Sequence, residues 1–238
     1  VFTPGRVRET EILDDPSIDP TLAIRSLNDV ARANRWFGGR RAVLLTLDTA
    51  MQHDHTERRN HAECLLDVGT GLADIPAAAQ RLAQARGREL VTVGVEHVLP
   101  LAVNAAAHCT HAVAGHALQL PFATASIDYV TCSQVLHHFV DDQAAQLLRE
   151  CSRVAKRAVI IGDLRRSWLA VAGLWAASFL LGFHHISRHD GMLSIRRGFT
   201  VPELRDIISQ ATGYQPIVRR RFGWRVTALW FPHSSNSA

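Results

Sequence analysis

Cys64-Leu65-Leu66-Asp67-Val68-Gly69-Thr70-Gly71 is the stretch whose reading decides the fold. A short apolar run ends in a glycine turn, and Ala73 to Ala85 continues at helical spacing, with Pro76 early, where a missing N–H costs nothing. A buried strand that ends in a glycine turn opening a helix is how an open α/β sheet presents a ligand crevice, beyond the carboxyl ends of its strands. The same grammar repeats downstream. Apolar runs at 90–95, 111–114, 127–132 and 158–161 alternate with helical patterns at 100–107 and 141–155, the last expected to be capped by Asp141-Asp142. Such alternation predicts an α/β fold with five parallel strands covered by helices. Beyond it, Thr200 followed by Glu203 marks the start of a helix to Ala211, and 215–221 with 224–231 read as a hairpin joined at Gly223.

On the other side of the deciding stretch, residues 20–52 carry apolar positions at helical intervals, broken at Gly38-Gly39. They predict two helices and, over 1–60, an N-terminal helical cap. Residues 168–183 form an uncharged run, shorter than the roughly 20 apolar residues of a membrane span and read as a buried or interfacial helix. It lies in a helical insert, 164–198, within a main domain of 61–238. The chain has 238 residues, 47% hydrophobic and 20% charged, with 15 Gly and 9 Pro, which excludes disordered, collagenous and disulfide-scaffold classes. A net charge of +4, with Lys156 the only lysine, is too mild to imply nucleic acid. Cys64, Cys109, Cys132 and Cys151 are scattered, as buried free thiols of a reducing, cytoplasmic compartment would be. Residues 1–19 hold five acidic residues and resemble neither a secretory signal nor a transit peptide.

The chemistry of the turn disfavours a dinucleotide such as NAD or FAD. G-x-G-x-x-G would need Gly or Ala at Asp74, and Asp67 before the first glycine would repel a diphosphate. An acidic group beside this turn suits a ligand carrying an ammonium or sulfonium cation instead. Glu96, 29 residues after Asp67, closes the second strand, where a carboxylate accepts from both hydroxyls of a ribose. Three further segments follow: Gly115-His116-Ala117-Leu118-Gln119-Leu120-Pro121-Phe122, Ser126-Ile127-Asp128-Tyr129-Val130 and Val135-Leu136-His137-His138.

In this order the segments resemble the class I S-adenosylmethionine-dependent methyltransferases, within them the small-molecule branch of quinone, polyketide and phenol methyltransferases. The likeness covers about 60–165 and the terminal hairpin. It implies a Rossmann-like, seven-stranded, mostly parallel sheet whose C-terminal hairpin brings the antiparallel strand. It also implies S-adenosylmethionine as cofactor: Gly69, Thr70, Gly71 and Leu72 around its methionine part with Asp67 nearby, Glu96 on the ribose, and His97 and Val98 flanking the adenine. His116 stands where the family has Asp, as an acceptor for the adenine amino group, with Ala117 and Leu118 completing that pocket. Cys132, Ser133 and Gln134 would face the reactive end. A second departure is Val154-Ala155-Lys156-Arg157, in place of the family's glycine-containing turn.

Methyl transfer from a sulfonium is an in-line displacement that needs positioning in a dry pocket. For a phenolic or enolic acceptor, His137 or His138 is the candidate base, against the plainer role of packing or capping. The 168–183 helix and Asn34-Arg35-Trp36-Phe37 would form a lid over a hydrophobic acceptor. No metal is expected, since neither His53-x-His55 nor His108 with His111 has the spacing of a zinc site. Arg219-Arg220-Arg221 reads as a solvated edge. The resulting expectation is methylation of a small aromatic, quinone-like or polyketide-like acceptor, at oxygen before carbon, with no nucleic-acid partner. The rivals are a noncatalytic cofactor-binding protein and a membrane-associated quinone or lipid methyltransferase.

Overall fold

Alternation along the strands gives the sheet two apolar faces, and each face recruits its own helices. Strands β1 (Glu63–Val68), β2 (Leu90–Glu96), β3 (His111–Ala114), β4 (Ile127–Ser133) and β5 (Ala155–Leu164) are joined by parallel pairing, and β6 (Ile217–Arg221) and β7 (Arg225–Trp230) complete one seven-stranded sheet of order β3-β2-β1-β4-β5-β7-β6. β7 runs antiparallel to both β5 and β6, so the expected hairpin supplies the antiparallel strand. Leu66, Val68, Val130, Ile161 and Trp230 point to one face, beneath α5 (Asp141–Val154) and α8 (Val201–Thr212). Leu65, Tyr129, Ile160 and Leu229 point to the other, beneath α2 (Gly39–His53) and α3 (Asp74–Ala85). The computed structural model describes residues 3–15, 18–53 and 62–232, so His55 lies outside the described residues.

Several boundaries differ from the sequence reading for local reasons. Gly38, at φ +75°, makes the break between α1 (Pro20–Trp36) and α2, while Gly39 already belongs to α2. Asp141 and Asp142 do not cap α5: Val140 holds the cap position without a side-chain acceptor, both acids sit in the first turn, and Asp141 pairs with Arg6 and Arg8. The pair still opposes the partial positive charge of the helix start. α5 passes into β5 at Val154-Ala155 with no loop, and β5 runs ten residues. The Thr200/Glu203 capping box at α8 is present as expected. Of the cysteines, Cys132 and Cys151 are buried, but Cys64 and Cys109 only half so.

The insert after β5 holds two helices where the sequence suggested one, α6 (Trp168–Leu180) and α7 (His185–Arg197). The buried positions of α7 include Ser187, Asp190 and Arg197, so it carries no apolar stripe by which its sequence could be recognised. The α1–α2 junction is pinned to the β6–β7 turn by backbone contact. Gly223 has φ +70°, and a Cβ there would lie 1.9 Å from the carbonyl oxygen of Phe37. Through this contact α1 is held over the carboxyl ends of the strands.

Candidate functional site

Strand order reverses direction at β1, with β2 on one side and β4 on the other, and the crevice outside these carboxyl ends is where such sheets take ligands. At its floor, Gly69 has φ +68° and would bring a Cβ within 2.5 Å of the Val135 side chain, so only glycine fits. Gly71, at φ +53°, faces open space, with nothing within 4 Å of a would-be Cβ. Beneath the turn, Asp67 is buried and accepts hydrogen bonds from Thr70 Oγ1 (2.9 Å) and Thr131 Oγ1 (2.7 Å). Burial pushes its carboxyl up to about 7 against the pull of those two hydroxyls. Gly94, beside Asp67 in the sheet, leaves room for Thr70, whose methyl would lie 2.7 Å from a Cβ there.

Glu96 closes the turn from the β2 side. Its Oε2 accepts from Gly71 N (3.0 Å) and its Oε1 from His97 N (2.8 Å) and Val98 N (3.2 Å), which leaves capacity for one further donor. His116 Nδ1 accepts from Leu118 N at 3.1 Å. The neutral ring therefore carries its hydrogen on Nε2, a donor, and this corrects the expectation that His116 accepts from an amino group as an aspartate would. The His97 and His116 rings meet edge to face with centroids 5.0 Å apart.

One cavity of about 710 Å3 joins this nucleotide-like half to a second, apolar half. Gly69, Gly71, Glu96, His97, His116 and Ala117 line the first. Val30 and Phe37 beside α1, Ala170 and Leu174 of α6, and Phe183 and Ile195 wall the second, together with His137 and His138. Of the site residues read from the sequence, Asp67, Thr70, Leu72, Val98, Leu118, Cys132 and Ser133 do not line the cavity. Asp67 and Thr70 build the turn from below, and Leu118 acts through its amide on His116.

His137 and His138 lie on a 3-10 turn, Leu136–His138, that precedes α5, and their rings are tilted by 33° with centroids 4.3 Å apart. His137 is buried, and its Nδ1 meets Asp163 Oδ1 at 2.7 Å. Burial acts to raise Asp163, but the charge and hydrogen bond of His137 outweigh it and hold the carboxyl below its ordinary value. With Nδ1 engaged by Asp163, the buried Nε2 of His137 has no hydrogen-bond partner, and the residue lines the cavity. It stands 3.7 Å from Glu11 Oε1. Arg197 of α7 donates to the carbonyls of His137 (3.1 Å) and His138 (2.8 Å) and so fixes the turn. Among the described residues Glu11, His137 and His138 form the one group whose side chains converge as metal ligands could, each offering an atom within 4.8 Å of the others.

Gln134, at φ +57°, bonds Asn34 of α1, and its Oε1 accepts from Arg225 Nη1 at 3.3 Å. Arg225 is buried, and burial lowers it to about 10. The sequence reading missed Asp163, Arg225, Arg197 and Glu11. Asp163 did have a signal, an acid closing an apolar strand at the same edge as Asp67 and Glu96.

Residues 66–161 match a family model described as a methyltransferase domain. Over these residues, about two fifths of the chain, the sequence is similar to that domain. The match runs from β1 through β5 and includes the glycine turn, Glu96, His137 and His138. Among solved structures, a SAM-dependent methyltransferase from Aquifex aeolicus is 15% identical with a TM-score of 0.57, over 91% of this chain and 100% of that one. Magnesium protoporphyrin IX methyltransferase from Synechocystis, solved with bound SAH, is 14% identical with a TM-score of 0.53, over 91% and 89%. At such identities these likenesses establish the fold. No curated protein matches the chain by sequence.

Proposed function

We propose that this methyltransferase transfers the methyl group of S-adenosylmethionine to an oxygen of a small hydrophobic acceptor, a phenol or an enol, with His137 as the base. The observation that carries the reading is the single cavity in which the glycine turn and an apolar chamber meet, lined by His137, whose Nε2 has no hydrogen-bond partner. The residues fit the cofactor. The open face of Gly71 gives the methionine part room, Glu96 keeps an acceptor site for a ribose hydroxyl, and His97, His116 and Ala117 surround the adenine place. The half-buried Glu96 carboxyl at the rim of the turn favours a cation there and disfavours a diphosphate. Because His116 presents an N–H, it would donate to a ring nitrogen of adenine rather than accept from its amino group.

When bound, S-adenosylmethionine supplies an electrophilic methyl group on a cationic sulfur. The chain's own residues do the rest. The apolar walls of α1, α6 and α7 exclude water and hold the acceptor near the carboxyl end of β4. His137 Nε2 takes the acceptor's hydroxyl proton, and Asp163 keeps Nδ1 protonated and stabilises the imidazolium that results. Arg197 holds the turn that carries the ring, and the Gln134–Asn34–Arg225 cluster fastens α1 to the sheet.

Calorimetry with S-adenosylmethionine, followed by incubation with labelled donor and a panel of phenols, enols and carbon acids, tests the proposal. Expected are donor binding, weaker binding by Glu96→Ala, and label on oxygen in an apolar phenol or enol. Absence of donor binding, or label found only on carbon, would overturn it.

A further inference from the structure

A helix that is apolar on every side is ordinarily buried on every side. α6 breaks that rule. No charged residue occurs from 168 to 183. Its inner side belongs to the cavity through Ala170 and Leu174. Its outer side exposes Trp168 (49%), Leu169 (59%), Trp175 (52%), Phe179 (52%) and Leu180 (89%). Trp168, Trp175 and Phe179, spaced by seven and four, fall on one line of the helix and Leu169 and Leu180 lie beside it, so the exposure is one face.

The rim of that face is cationic. The Arg188 guanidinium stacks on the Phe179 ring at 3.7 Å, and Arg32 lies over Phe183 at 5.3 Å while donating to the Leu181 carbonyl. Arg25 and Arg35 are exposed on the neighbouring α1. The acids on this side are turned inward. Asp29 is buried between Arg32 and the amide of His184, and Asp190 is buried on the amides of Ile12 and Leu13.

We infer that α6 docks this protein on an anionic lipid bilayer, lying along the interface with its two tryptophans, Phe179 and Leu180 in the boundary between headgroups and acyl chains. Arginines around an apolar face match lipid phosphates, and tryptophan favours that depth because one end of the ring is apolar and the other wet. The same rim opposes a symmetric second copy, which would bring like charges together. Crossing the bilayer is excluded for α6 by length, since thirteen residues reach about 20 Å against a hydrocarbon core of about 30 Å. Among the described residues no helix is long and apolar enough to cross a membrane. With the apolar methyl acceptor on which the proposed function rests, α6 leaves one helix thickness between the bilayer and the chamber that receives it.

The test is flotation of the full chain with vesicles of equal parts phosphatidylglycerol and phosphatidylcholine, against vesicles of phosphatidylcholine alone. Expected are binding to the anionic vesicles, weakening with salt, and quenching of tryptophan fluorescence by brominated acyl chains. The double variant Trp175→Ser/Leu180→Ser, on the outer stripe, should lose at least about tenfold in partition, with its unfolding temperature and S-adenosylmethionine affinity unchanged. No binding by the unaltered protein, or undiminished binding by the variant, would overturn the inference. So would sedimentation equilibrium showing a dimer that the variant dissolves, which would assign the face to a second copy. Methyl transfer to a water-soluble phenol, measured without vesicles, reports on the proposed function separately.

Discussion

Replacing Asp67 by Asn should change how stability depends on pH more than it changes stability itself. The carboxyl, ordinarily at 3.8, is raised by burial to about 7 in the folded chain. Between these values the native state holds a proton that the unfolded chain has released, so rising pH across this window draws stability away. A shift of about three pH units corresponds to up to about 4 kcal/mol, fully present below the unfolded value and lost once pH passes the folded one. The amide has nearly the same shape and no charge to desolvate. It can accept from one of the two threonine hydroxyls and donate to the other, since a hydroxyl serves as either. Urea unfolding of both proteins from about pH 5 to about pH 8 should therefore show Asp67→Asn gaining on the parent as pH rises. Parallel curves would refute the reasoning, because they would mean that burial does not perturb this carboxyl.

Other outcomes follow from the same geometry. His137→Gln should lower kcat by about 10²–10⁴ while leaving donor affinity intact, and Asp163→Asn should fall in the same direction by less, as read by single-turnover methyl transfer and calorimetry. Gly223→Ala adds a Cβ 1.9 Å from the Phe37 carbonyl at positive φ, and should cost on the order of 2–4 kcal/mol in chemical unfolding. Thr200→Ala removes the α8 cap and should cost about 1 kcal/mol in the same assay, with activity retained.

The glycine turn, the carboxylate closing β2 and the parallel alternation were legible because each is a local pattern: short-range spacing encodes strand, turn and helix start. Thr200 with Glu203 was legible for the same reason. Asp141-Asp142 shows the limit of such signals, since acids before a helix look alike whether they cap it or sit in its first turn. α7 escaped because its buried side chains are as often polar as apolar, their partners lying in the N-terminal segment and α1.

What the sequence determined alone was the class of fold, the glycine turn that opens the crevice and the adjacent pair of histidines, all carried by residues within a few positions of one another or by strand-to-strand repetition. What only the tertiary structure decided was which histidine has a carboxylate behind it, how His116 spends its accepting nitrogen, and which side of α6 meets solvent. Those depend on contacts between residues such as His137 and Asp163, 26 positions apart, and no local periodicity records which distant side chains the folded sheet brings within hydrogen-bond reach.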